Sequence, residues 1–290
     1  MPEFLELVPP DDALQHWMAH LPGYSLEPEV IDTCLALGRV TAEPVIAPYP
    51  LPSFTRSAMD GYAVRAADTF GASDALPAYL SVVGEVPMGA MTELSLKVGE
   101  CALIHTGGML PDPADAVVMV EHTQSVRDGE VEIFRATAAG ENVICKGEDV
   151  AQGEQVIGQG VRLRPQEIGG LMALGITRLP VFRRLRVGLI SSGDEVIPPA
   201  QELLPGQVRD VNSYSLGALV EQNEAIPVQY GIVPDRAEAL HSTAQQALAE
   251  CDLVLITAGS SASARDLTSR VISELGKPGI LVHGVSIRPG

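Results

Sequence analysis

The stretch LRVGLISSGDEV, residues 185–196, decides the fold class of this 290-residue chain. Its first six residues are mostly apolar, which is typical of a buried strand in a parallel sheet. Two serines, a glycine and two carboxylates follow at once, so the strand is predicted to end in a small polar turn. The carboxyl ends of parallel strands are where α/β proteins bind their ligands.

Strand-like and helix-like segments continue to alternate downstream of this stretch. We predict strands at 227–233, 252–259 and 279–285, and helices at 212–222, 235–250 and 266–276. Asn212, Asp235 and Asp266 are the expected N-caps of the three helices. Apolar strands alternating with helices indicate a parallel sheet covered on both faces, which is a three-layer α/β/α domain.

The N-terminal half has a different character. Short β-like segments punctuated by Gly and Pro predict a mostly β domain over 49–146. Segments 1–48 and 147–181 are expected to form one discontinuous helical or linker domain, with helices at 13–21, 28–37 and 165–174. The fold class predicted for the whole chain is therefore α/β multidomain, with the α/β domain over 182–290 and incomplete at its C-terminus.

Composition excludes several classes of function. Apolar residues make up 46% and the formal net charge is -18, which fits a globular protein and argues against a nucleic-acid or anionic-membrane surface. No apolar run approaches the ~18 residues of a membrane span, and the acidic N-terminus does not resemble a signal peptide, so we expect a cytoplasmic protein. The four cysteines are far apart and are expected to be reduced and mostly buried.

Several Gly- or Ser-rich loops each carry a carboxylate. These are Asp60 in SAMDGYAV, Asp149 in KGED, Asp194 and Glu195 in SSGDE, Asp235 in VPD and Asp266 in AGSSASARD. Each carboxylate could instead form a turn or cap a helix. Converging carboxylates would suit Mg²⁺ holding a phosphate ligand, and the Gly/Ser loops could bind anions through backbone N–H groups. The sequence shows no Ser/His/acid constellation and no GxGxxG after a strand.

Six of these segments occur in the order seen in the molybdopterin molybdotransferases, the bacterial MoeA type and the E domain of gephyrin. They are PSFTRSAMDGYAV, ALIHTGGMLPDPADAVVMVE, ENVICKGEDV, RVGLISSGDEV, VRDVNSYSL and AGSSASARDLT. The resemblance extends from about residue 28 to residue 290.

The resemblance implies an enzyme of molybdenum cofactor biosynthesis that takes molybdate and adenylylated molybdopterin, requires Mg²⁺, releases AMP and forms a homodimer. It implies catalytic roles for Asp60, Asp149, Glu195 and Asp266, and Mg²⁺ binding by Asp60, Glu195 and Asp266. The substrate-binding residues that it implies are Thr106, Gly107, Ser191, Ser192, Gly193, Asp194, Asn212, Asp235, Gly259, Ser260, Ser261 and Arg288.

The chain departs from the family pattern in two places. AGSSAS stands where the family has Gly-Gly-Val-Ser-Val-Gly, and Ser269 stands where a lysine is common. A molybdopterin-binding or scaffold relative without turnover is therefore the alternative to an active enzyme.

Overall fold

We describe the protein from a computed structural model. The described residues are 7–21, 25–127, 129–258 and 262–287, with side chains omitted for 262–266. They form two compact units: an α/β unit, drawn from 1–31, 38–42 and 180–290, and a β-rich unit, made of 32–37 and 43–179. The expected division into three domains stays a prediction.

Helices and strands are numbered along the chain. The helices are α1 (Pro10–Met18), α2 (Pro165–Ala173), α3 (Asn212–Gln222), α4 (Ala237–Glu250) and α5 (Ala262–Glu274). The strands are β1 (Pro28–Asp32), β2 (Val45–Ile46), β3 (Arg56–Ser57), β4 (Gly61–Val64), β5 (Ala78–Glu85), β6 (Glu100–Ile104), β7 (Ala116–Met119), β8 (Thr123–Arg127), β9 (Glu130–Ile133), β10 (Val143–Ile144), β11 (Gln155–Ile157), β12 (Arg178–Phe182), β13 (Arg186–Ser192), β14 (Val196–Ile197), β15 (Val208–Arg209), β16 (Ile226–Val233) and β17 (Leu253–Thr257). Among the described residues, no helix is long and apolar enough to cross a membrane.

A six-stranded mixed sheet forms the centre of the β-rich unit. Its strand order is β7-β4-β6-β5-β9-β8, and the β5–β6 pair is parallel. Adjacent residues of β4 enter different clusters: Val64 packs with Leu80 and Val131, whereas Ala63 packs with Val86 and Ile104. Because successive strand residues point to opposite faces, both faces of β4 are buried.

A three-stranded parallel sheet, in the order β16-β13-β17, forms the centre of the α/β unit. Leu189 of β13 packs with Val220 of α3, whereas the next residue, Ile190, packs with Leu240 of α4 and Val271 of α5. Helices therefore cover both faces of β13, and the α/β fold predicted from the apolar runs is confirmed.

The helix predicted over 28–37 is wrong. The segment forms β1, which pairs with β12, followed by a 3-10 turn over Thr33–Leu35. Thr33 donates its backbone N–H to Thr177 O (2.8 Å) and its hydroxyl to Ile176 O (2.7 Å). Pairing with a distant strand has overridden the helical spacing of the apolar residues.

The strand predicted over 279–285 is also absent from that described segment. Gly279 and Gly284 have φ values of +78° and +113°, which lie outside the β region. Val285 instead forms an isolated parallel bridge with Val8.

The cysteines differ in part from expectation. All four are free, as predicted, but Cys34 and Cys145 are exposed and Cys251 is partly buried. Cys101 is fully buried in β6, and this burial raises the pKa of its thiol to about 12.

Helix α2 begins and ends as predicted, because local hydrogen bonds fix both ends. Glu167 accepts the backbone N–H of Arg164 (2.8 Å) at the start. Gly175, with φ +69°, donates to Met172 O at the end, while Ile176 donates to Leu171 O.

Helix α2 should lose stability at low pH. The Arg164 side chain, and then its backbone N–H, lower the pKa of Glu167 to about 2. The pKa of Glu167 is lower in the folded state than in the unfolded state. The ionised carboxylate therefore contributes fully to stability above about pH 4.5, and this contribution is lost as the pH falls towards 2. An NMR titration of the Glu167 carboxyl carbon should give a midpoint near 2 in the wild type. An ordinary midpoint would contradict the capping geometry.

Candidate functional site

Three polar side chains meet at the carboxyl ends of β13 and β16. Ser192 donates its hydroxyl to Asp235 Oδ1 (2.6 Å), and the backbone N–H of Asp235 donates to Asp194 Oδ1 (3.2 Å). Gly193 N–H donates to Val233 O (3.3 Å), which ties the two strand ends together. Of the residues predicted to bind substrate, Ser192, Gly193, Asp194 and Asp235 are therefore brought into one hydrogen-bonded cluster.

The turn after β13 requires glycine at position 193. Gly193 has φ +152°, and a Cβ there would lie 2.6 Å from Val196 Cγ2 and 2.9 Å from Glu195 Oε2. The Glu195 carboxylate thus lies directly beside the turn. Ser191 is buried behind it, and its hydroxyl accepts a hydrogen bond from Thr257 of β17 (3.4 Å).

Two predicted helix caps are wrong. Helix α4 begins at Ala237 with Arg236 as its N-cap, which leaves the Asp235 carboxylate to accept from Ser192 instead. Helix α3 begins at Asn212 itself, and the carboxylate that accepts from its first turn is that of Asp210, bonded to Ser213 N–H (3.1 Å). Asn212 lies exposed at this helix start.

An open cleft of about 530 Å³ lies beside the start of α3. The polar residues that line it include Gln201, Asp210, Ser213, Tyr214 and Gln229. Asp210, Tyr214 and Gln229 were not among the residues predicted from the sequence. Asp210 could have been predicted from the Arg-Asp pair just before the predicted helix, whereas no feature of the sequence distinguished Gln229 within its strand.

The Ser192–Asp235 hydrogen bond should contribute measurably to the stability of the α/β unit. Ser192 is 3% exposed, so Ser192→Ala removes a donor to a charged, half-buried acceptor and should cost about 1.5 kcal/mol. Urea unfolding can be followed by the fluorescence of Trp17, the chain's one tryptophan, which lies in the same unit. As a control, Ser215→Ala removes an exposed hydroxyl on α3 and should change stability by less than about 0.5 kcal/mol. Equal effects would contradict the assignment.

Asp60 is the central carboxylate of the β-rich unit. Its Oδ1 accepts the backbone N–H of Thr106 (2.7 Å) and the Thr106 hydroxyl (3.2 Å). The backbone N–H bond, followed by the hydroxyl bond, holds the pKa of the Asp60 carboxyl below its ordinary value, and His105 adds to this effect. The Thr106 donors therefore hold the Asp60 carboxylate in place and favour its ionised form.

The loops around Asp60 are tied to one another through the backbone. Gly107, with φ +85°, donates to Ser57 O (2.8 Å), and Ser57 N–H donates to Gly108 O (2.9 Å). Val120 N–H donates to Asp60 O (3.1 Å). The TGG turn therefore holds Asp60, and Thr106, predicted to bind substrate, uses both of its donors on this carboxylate.

Sequence reasoning missed two residues beside Asp60. His105 Nδ1 lies 3.7 Å from Asp60 Oδ1, and its Nε2 lies 3.0 Å from Glu85 Oε1. His105 could have been predicted as a site residue, because it directly precedes Thr106. Glu85 is distant in sequence, and no pattern around it indicated a place in the site.

Asp149 is not brought to Asp60. Strands β3 and β10 pair antiparallel, and the same two chain segments also form a bridge between Leu51 and Val150. Asp149 lies at the Leu51 end of this pairing, where its N–H donates to Leu51 O (2.9 Å). Asp60 lies beyond the opposite end, three residues after Ser57. The carboxylate of Asp149 is exposed.

Some predicted residues cannot be placed. Gly259, Ser260, Ser261 and Arg288, and the side chain of Asp266, lie outside the described residues. Within the part of the chain that is described, no group of three His, Cys, Asp or Glu side chains is arranged to hold a metal ion.

The chain belongs to the MoeA family. Residues 8–175 match the family model "MoeA N-terminal region (domain I and II)", and residues 188–290 match "Probable molybdopterin binding domain". The two matches leave residues 176–187 between them, a segment that contains β12 and the first two residues of β13.

Relatives and solved structures agree with this membership. The chain is 37% identical to a molybdopterin molybdenumtransferase of Nostoc sp., with 90% of this chain and 60% of the relative aligned. It is 31% identical to a molybdopterin molybdenumtransferase of Haemophilus influenzae, with 97% of this chain and 67% of the relative aligned. A crystal structure of a molybdopterin biosynthesis MoeA protein from Pyrococcus horikoshii superposes with a TM-score of 0.83 at 38% identity, covering 98% of this chain and 70% of that one. The chain thus spans about 60% of the length of the Nostoc relative.

Proposed function

We propose that the protein acts in molybdenum cofactor biosynthesis as a molybdopterin molybdotransferase. In this reaction molybdate is inserted into adenylylated molybdopterin, with Mg²⁺ required and AMP released. The observation that carries the proposal is the Ser192–Asp235–Asp194 cluster at the ends of adjacent parallel strands. It occupies the position at which α/β sheets bind ligands, within the segment matched by the molybdopterin-binding family model.

The α/β unit supplies the groups that would bind the pterin substrate. The turn after Ser191 and Ser192 would bind a terminal phosphate through the backbone N–H groups that follow Gly193, since the N–H of Gly193 itself donates to Val233 O. Asp194 and Asp235 accept hydrogen bonds and would orient donor groups of the pterin. Asn212, Gly259, Ser260, Ser261, Arg288, Thr106 and Gly107 are proposed as further substrate-binding residues.

The donor chemistry of the carboxylates fits Mg²⁺, which prefers oxygen ligands and usually binds through one or two carboxylates plus substrate phosphates. We propose Asp60, Glu195 and Asp266 as carboxylates that bind it. When bound, Mg²⁺ would neutralise negative charge on the substrate phosphates. Asp60 is already held in ionised form by Thr106, so it needs no rearrangement to bind a cation. Asp149 is proposed as a further catalytic carboxylate.

The remaining expectations are part of the same proposal. They are a helical or linker domain separate from the β-rich domain, a three-layer α/β/α domain, a homodimer and a cytoplasmic location.

A second candidate function is molybdopterin binding without turnover. The AGSSAS loop and Ser269 favour it, since both depart from the family pattern. The two candidates share the binding cluster and differ only in the chemical step.

Binding and turnover measured in the same samples separate the two candidates. We expect the wild-type chain to bind adenylylated molybdopterin and to release AMP when Mg²⁺ and molybdate are added. Tight binding without AMP would support the binding relative. Failure to bind either molybdopterin or its adenylylated form would contradict both.

A further inference from the structure

The ends of three adjacent strands place Glu85, His105 and Asp60 in a row. In the six-stranded sheet, β6 lies between β4 and β5. Gly61, which begins β4, is opposite Ile104, which ends β6, and Leu103 is in register with Glu85 at the end of β5. Asp60 directly precedes β4 and His105 directly follows β6. The backbone of all three residues is therefore anchored by the sheet, and their side chains meet at one edge of it.

Within this row, the two oxygens of the Asp60 carboxylate have different surroundings. Both Thr106 donors bond to Oδ1, and His105 also approaches Oδ1. None of the hydrogen bonds between described side chains and Asp60 involves Oδ2. The carboxylate is thus fixed through one oxygen, and the other is left available to a ligand.

His105 lies where it can restrict the Asp60 side chain. Its Nδ1 lies 3.7 Å from Oδ1, too far for a hydrogen bond but close enough for the ring to pack beside the oxygen that Thr106 holds. The ring is itself held by the 3.0 Å contact between Nε2 and Glu85 Oε1. About half of each of these side chains is exposed, so they bury little surface, and a purely structural role would have a small effect on folding.

We propose that His105 is a positioning residue for Asp60 and that Glu85 acts through His105. The pair keeps Oδ1 on the Thr106 donors and presents Oδ2 in one orientation. A functional effect of this positioning rests on the proposed enzymatic role of Asp60. The positioning itself can be measured without turnover.

The test combines hydrogen exchange with AMP release. The Thr106 amide reports the Asp60 hydrogen bond directly, because that carboxylate is its acceptor. In His105→Ala the Thr106 amide should exchange about tenfold faster, and kcat for AMP release should fall about tenfold with KM unchanged. His105→Gln retains a donor for Glu85, so it should restore most of the amide protection and most of kcat. Adding Glu85→Ala to His105→Ala should have no further effect, since the two residues act as one unit.

His122→Ala is the matched control, because His122, directly before β8, contacts Arg135, just after β9, and not Asp60. We expect it to leave Thr106 exchange and AMP release unchanged. Unchanged Thr106 exchange in His105→Ala, or faster exchange shared by all amides of the β5–β9 pair, would overturn the proposal. A wild type that releases no AMP would refute the proposed function alone, while the change at Thr106 would still establish the positioning.

Discussion

Asp60→Asn should reduce Mg²⁺-dependent AMP release on the order of 100-fold and leave the fold intact. The amide can still accept the Thr106 N–H at Oδ1, so the turn is retained. The substitution removes the negative charge that Thr106 and His105 stabilise, and with it the group proposed to bind the cation. Single-turnover assays at several Mg²⁺ concentrations would measure the effect.

Asp74→Asn provides the control for Asp60→Asn. Asp74 is exposed in a turn of the same unit, and its substitution should leave both turnover and stability unchanged. If Asp60→Asn were as active as this control at every Mg²⁺ concentration, Asp60 would be a structural turn residue.

Gly61→Ala should destabilise the β-rich unit by at least about 3 kcal/mol. A Cβ at this position would lie 1.9 Å from the carbonyl oxygen of Val118 and 2.8 Å from its carbonyl carbon. The obstructing atoms belong to the backbone of β7, which pairs with β4, so no side-chain rotation can relieve the contact. Movement of β4 would also displace Asp60, which makes loss of activity a second expected result.

Gly169→Ala is the opposite case in the same unit. Gly169 is exposed within α2, and nothing lies within 4 Å of the Cβ that it would acquire. Removing a helical glycine should stabilise the unit by about 0.5–1 kcal/mol. Urea unfolding monitored by circular dichroism would compare the two variants. Equal midpoints would contradict the close approach of β4 and β7.

The predictable parts of the fold were those decided by local pattern. The apolar run of β13, the helix at 212–222 and the end of α2 at Gly175 each follow from a few neighbouring residues. The segment 28–37 failed because its partner, β12, is about 150 residues away, and no local pattern encodes such a pairing. The segment 279–285 failed because apolar content does not reveal the φ angles of its glycines.

In the candidate site, too, local sequence predicted some features and long-range contacts decided the others. Loop composition pointed to Asp60, Ser192 and Asp235, but not to the residues that they contact. The Thr106–Asp60 and Ser192–Asp235 bonds each join residues more than 40 positions apart. Glu85 was missed because only the register of β5 with β6 brings it to His105.

AMP release by the 290-residue chain, measured with and without Mg²⁺ in the presence of adenylylated molybdopterin and molybdate, is the most direct test of the proposed activity. We predict rapid, Mg²⁺-dependent release by the wild type and on the order of 100-fold slower release by Asp60→Asn. A wild type that binds the pterin but releases no AMP under any Mg²⁺ concentration would contradict the proposed transferase activity.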